Sequence, residues 1–137
     1  MQARQRAAIN KLKALLLFLT AAVLILDGHA QGLKQTAYIK PSNTRAGSQF
    51  GAGGTLLGDS VALSSDGNTM AVGAPMESSA TKGINGNQAD ESAYDAGAVY
   101  VFARNGNAWK QQAYIKASNT RHSSNFGYVV RLSGDGN

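Results

Sequence analysis

The stretch Ala37-Tyr38-Ile39-Lys40-Pro41-Ser42-Asn43-Thr44-Arg45 returns as Ala113-Tyr114-Ile115-Lys116-Ala117-Ser118-Asn119-Thr120-Arg121, 76 residues later and with one substitution. Phe50-Gly51 and Phe126-Gly127 keep that offset, whereas Leu63-Ser64-Ser65-Asp66-Gly67-Asn68 matches Leu132-Ser133-Gly134-Asp135-Gly136-Asn137 at an offset of 69. The first copy therefore carries seven extra residues, within the Gly-rich stretch 52–58. That stretch reads either as a loop or as placing Leu57-Gly58 in the Phe-Gly register. Self-similarity of this length points to units that bury their apolar faces against neighbouring units rather than within themselves.

Within one unit the strand signals fall in pairs. Residues 61–64 and 69–73 flank Asp66-Gly67-Asn68, and residues 98–104 and 109–116 flank Asn105-Gly106-Asn107, so each pair reads as a hairpin closed by residues that accept positive φ. On 98–104, Val99 and Val101 alternate with Tyr100 and Phe102, which makes that strand apolar on both faces and places it inside the sheet. On 109–116, Trp109, Ala113 and Ile115 share one face while Lys110, Gln112 and Lys116 share the other with Tyr114, a pattern that puts this strand outermost. The fold class expected is all-β: β-propeller blades of four antiparallel strands in an incomplete propeller, preceded by a helical signal peptide. A β-sandwich is the competing architecture, and the repeat favours radial repetition over it.

These residues resemble the FG-GAP repeat family, including bacterial repeats similar to the propeller of integrin α chains. Phe50-Gly51 matches the first half of the motif, Val72-Gly73-Ala74-Pro75 the second, and Gly97-Ala98-Val99-Tyr100-Val101-Phe102 is similar to the family's third strand. The resemblance spans about one and a half repeats. It implies that residues 31–49 are the outer strand and linker of a partial preceding blade, 50–116 a blade, and 117–137 the start of a second, truncated one. Phe50, Gly51, Gly73, Ala74, Pro75, Phe126 and Gly127 are then structural: Phe50 and Phe126 act as apolar plugs, Gly73 and Ala74 permit close backbone approach, and Pro75 ends a ladder by removing a donor. Many integrin blades carry a calcium loop between their first two strands. Here Ser64 and Ala62 stand where two of its carboxylates belong, leaving Asp66 as the one strong ligand, so a plain turn is expected and no cofactor.

The N-terminus has its own character. Arg4, Arg6, Lys11 and Lys13 precede an apolar run over residues 14–26, and Gly28 and Ala30 supply the small residues of a cleavage site after Ala30. The run is shorter than the ~20 residues a membrane span requires. Residues 1–30 thus read as a signal peptide for secretion to periplasm or exterior, with an uncleaved anchor as the alternative. Removing them takes away four basic side chains and Asp27, so the formal charge of +5 falls to +2. No basic stripe with interleaved aromatics remains, which argues against nucleic acid as a partner. With no cysteine the chain has neither disulfides nor thiolate metal sites.

Catalytic players are sparse: His122 is the single histidine after residue 30, and no Ser lies in a Gly-x-Ser-x-Gly setting. No catalytic residue is expected. The polar insert over residues 76–95 joins the second and third strands and is a candidate binding loop, with folding expected to tolerate deletion of 80–93. Asp90, Glu91 and Asp95, together with Asp66, are the weak candidates for a cation, against the alternative of a solvated loop. The function expected is a non-catalytic binding or adhesion module for an extracellular protein or glycan. The alternatives are a truncated remnant without independent function, or part of a propeller enzyme such as a glycan hydrolase. Further blades or self-association are expected to complete the propeller, because the chain stops within the second unit's turn at Asp135-Gly136-Asn137.

Overall fold

The computed structural model describes residues 34–52 and 59–137, of which Gln35–Asn137 form one compact unit. The signal-peptide reading of residues 1–30, the cleavage position Ala30 and the Leu57-Gly58 register lie outside the described residues. Among those residues the chain is all-β and contains no helix, hence none able to cross a membrane. Five strands, β1 (Val61–Leu63), β2 (Thr69–Ala74), β3 (Gly83–Ile84), β4 (Ala98–Asn105) and β5 (Ala108–Lys116), form one open antiparallel sheet in the order β1-β2-β4-β5-β3.

Turn chemistry sets the two hairpins. Between β1 and β2, Asp66 accepts the Asn68 amide at 3.0 Å and the Ser64 hydroxyl at 2.6 Å, while Gly67 takes φ +69°. Between β4 and β5, Asn105 pairs with Ala108, leaving Gly106-Asn107 as a two-residue turn with φ +58° at the glycine, the geometry of a type II′ hairpin. The four strands of these hairpins are the four expected from the sequence.

One face carries the core. Val72, Tyr100, Phe102 and Tyr114 are buried there, with Ile39, Phe50, Met70 and Trp109 packed on them. Each large side chain fully withdrawn from water contributes about 1.5–3 kcal/mol. The rings interlock: Phe50 meets Tyr100 and Phe102 edge-on at 5.6 and 6.0 Å, and Tyr100 lies 5.2 Å from Tyr114.

Three expectations are corrected. Trp109 does not share a face with Ala113 and Ile115, because the register shifts between Val101↔Ala113 and Phe102↔Gln111, leaving Gln112 as an extra residue. Such a bulge inverts the alternation beyond it. Trp109 and Gln111 therefore lie on the face of Tyr114 and Lys116, and that face, expected near solvent, holds the most buried part of the strand. Nor is β5 outermost along its whole length, since the insert folds back and adds β3 through Gly83↔Lys116 and Ile84↔Ile115. By that pairing part of the insert is woven into the sheet.

Candidate functional site: the cleft between the repeated segment and the insert

The first Ser-Asn-Thr-Arg segment lies across the core face against the insert, and each of its side chains makes a hydrogen bond. The Asn43 carboxamide accepts the Tyr100 hydroxyl at 2.6 Å and donates to the Gln88 carbonyl at 3.0 Å and to Glu77 Oε1 at 3.4 Å. Arg45 donates to the carbonyls of Gln88 and Asp90, each at 3.2 Å, and pairs with Glu91 at 2.5 Å. The Ser42 amide donates to Gln111 Oε1 at 2.9 Å, and its hydroxyl bonds the Gln88 side chain. Ser42, Asn43, Thr44, Arg45, Gln88 and Ala89 thereby enclose an open cleft of about 550 Å³ with hydroxyl, amide and guanidinium groups on its walls.

Beneath it lies a buried ion pair. Lys116 Nζ donates to Glu77 Oε2 at 2.7 Å, with both side chains closed to solvent (0% and 1% exposed), and the Ser79 amide adds a bond to the same oxygen at 3.1 Å. Beside the pair, the Tyr114 hydroxyl is buried without a hydrogen-bond partner among the described residues. Burial, reinforced for Tyr100 by the Glu77 charge, pushes both phenols well above the ordinary tyrosine range. Both stay neutral, and the Tyr100 hydroxyl donates to Asn43. The pair ties the start of the insert to the end of β5.

The acids singled out in the sequence serve separate local tasks. Asp66 closes the β1–β2 turn, and the Ser64 hydroxyl foremost, with Asn68, holds its carboxyl below the usual range. Asp90, lowered chiefly by Ser92, accepts the Ala80 amide at 2.6 Å and the Ser92 amide at 3.0 Å, bracing the insert. Glu91 meets Arg45, while Asp95 has φ +51° and offers its carbonyl to the Asn125 amide. Among the described residues no three His, Cys, Asp or Glu side chains gather as a cation site.

The repeat-motif residues sit at the contacts between chain segments. Gly51 donates to the Gly73 carbonyl at 2.9 Å, which seats Phe50 on the core face. On the opposite face a Cβ at Gly73 would lie 1.8 Å from the Gly127 carbonyl oxygen, so glycine is required where the second Phe-Gly crosses β2. Phe126 bridges Gly97, Ala74 is fully buried, and β2 ends before Pro75. The two Phe-Gly pairs thus bracket one sheet from its two sides. Reasoning from sequence missed the Glu77–Lys116 pair and the docking role of Asn43 and Arg45; for the latter the signal was present, because polar residues that recur unchanged with their apolar neighbours have partners to meet. No family model, no curated protein and no solved structure matches the chain.

Proposed function

We propose that this chain is an exported FG-GAP-like repeat protein whose unit is a propeller blade, acting as a non-catalytic binding or adhesion module toward an extracellular protein or glycan. What carries the reading is the repetition in three dimensions. The Ser64–Asn68 and Ser133–Asn137 turns form the same bonds, with Asp66 and Asp135 each accepting the preceding serine hydroxyl and the following asparagine, and Gly67 and Gly136 both left-handed. A sheet bracketed by successive copies of one motif is the arrangement of a unit stacked between like units. The FG-GAP resemblance of Phe50-Gly51 and Val72-Gly73-Ala74-Pro75 agrees with it.

The ligand region in this reading is the cleft lined by Ser42, Thr44 and Gln88, whose hydroxyl and amide groups suit a polyhydroxylated or peptide surface. Its test is retention of the exported full chain on a panel of immobilised glycans and extracellular matrix proteins. Binding that falls at least tenfold on Thr44→Lys, which fills the cleft, and persists with Lys110→Ala supports the proposal. Retention by no member of the panel, or equal retention by both variants, rejects it. Export itself is read from the N-terminal mass, expected to start at Gln31.

A further inference from the structure

The two copies of the repeated segment share one backbone but not one environment. Left-handed φ recurs at Gly47 and Ser123 (+82° and +55°), at Gln49 and Asn125 (+54° and +49°), and at Gly51 and Gly127 (+73° and +85°). In both copies the threonine hydroxyl closes the same turn, Thr44 onto Pro41 O at 2.9 Å and Thr120 onto Ala117 O at 2.7 Å. Yet Asn43 and Arg45 spend their polar atoms on Tyr100, Glu77, Gln88, Asp90 and Glu91, whereas Ser118, Asn119 and Arg121 are exposed and make no side-chain hydrogen bond or ion pair among the described residues.

We infer that residues 118–121 are a docking surface for a second copy of this chain, whose receiving groove is the one that residues 42–45 fill within their own chain. Asn119 takes the place of Asn43 between the Tyr100 hydroxyl and Glu77, and Arg121 that of Arg45 against Glu91 and the Gln88 and Asp90 carbonyls. The shape is already set. Non-glycine residues at positive φ are costly unless held, and here the Ser123 amide bonds Tyr94 O at 2.8 Å while the Asn125 side chain bonds Pro75 O at 3.1 Å. Little ordering is then left to oppose association. Charge also fits, a guanidinium entering a groove rimmed by Glu91 and lined by carbonyl oxygens. Within one chain the groove belongs to residues 42–45, whose tether gives an effective concentration of roughly millimolar. Docking between copies is therefore an exchange, favoured when the internal segment is loosened. The inference rests on the repeat geometry alone and does not depend on the ligand reading.

The test is sedimentation equilibrium of the full exported chain. Asn43→Ala with Arg45→Ala is expected to tighten self-association at least tenfold over the unsubstituted chain, and adding Asn119→Ala with Arg121→Ala is expected to reverse it. Unchanged association in the first variant, or association that survives the second pair, overturns the inference. Should the first variant fail to fold, the cysteine-free background supplies another route: a full-length Ser118→Cys chain is mixed with a full-length Gln88→Cys chain under mild oxidation. Ser42 touches Gln88, so a mixed disulfide dimer above the statistical yield, reduced by Arg121→Ala, is expected. A statistical yield overturns the inference.

Discussion

Replacing Glu77 by Ala would strip three hydrogen bonds from one carboxylate: Lys116 Nζ at 2.7 Å, the Ser79 amide at 3.1 Å and Asn43 Nδ2 at 3.4 Å. The larger effect is on Lys116, whose side chain is closed to water and would be left with no counter-charge. Removing one partner of a buried pair costs about 3–5 kcal/mol, because the remaining charge is stranded in a poorly polarisable setting. The neighbouring Tyr114 hydroxyl offers only partial relief. Lys116→Met in the same chain removes the stranded charge, and the double variant is expected to recover to within about 1–2 kcal/mol of the original. Urea unfolding followed by intrinsic fluorescence measures all four corners of this cycle. If Glu77→Ala costs under about 1 kcal/mol, or the double variant is less stable than the single, the pair does not hold the insert to the sheet and the reasoning fails.

Other outcomes follow from neighbouring geometry. Gly73→Ala places a Cβ 1.8 Å from the Gly127 carbonyl oxygen, and denaturant unfolding should register a loss of about 1–3 kcal/mol as the second Phe-Gly segment is driven off. Tyr114→Phe removes a buried hydroxyl that has no partner among the described residues, so its midpoint should be unchanged or raised. For pH, Asp66, Asp90 and Asp135 are held below their unfolded values, chiefly by hydrogen bonds from Ser64, Ser92 and Ser133. Their contribution is present above the ordinary carboxylate range and is lost as pH falls through their depressed values. Tyr100 and Tyr114, raised mainly by burial, contribute fully below the ordinary phenol range and lose that contribution as pH rises beyond it. A stability plateau that falls at both ends is expected in melts across pH, and a steady rise into the alkaline range would contradict it.

Much of the scaffold was legible because local chemistry dictated it. Asp66-Gly67-Asn68 and Gly106-Asn107 specify hairpin turns whatever surrounds them, and Val99 to Phe102 alternate between two apolar faces that both need cover. What escaped was decided by distant partners. The Gln112 bulge has no glycine to announce it, and the strand reads as unbroken alternation until pairing with β4 forces the extra residue out. β3 has two residues, too few for any period to register, and exists because the insert returns to the free side of β5. Glu77 and Lys116 lie 39 positions apart, one in a polar insert and one at a strand end, so each alone reads as a solvated charge. At the cleft, the recurrence of Ser-Asn-Thr-Arg marked the right residues, while the groove receiving them is assembled from Glu77, Gln88 and Tyr100, which no spacing connects.

Recognition of the repeated segment by one specific groove is tested directly by a pair of double-mutant cycles. Asn43→Ala combined with Tyr100→Phe, in dilute full-length chain, should show a coupling of about 0.5–1.5 kcal/mol, reflecting the 2.6 Å bond between them. Asn119→Ala combined with Tyr100→Phe should show none. Equal coupling for the two asparagines, or no coupling for Asn43, would contradict the account.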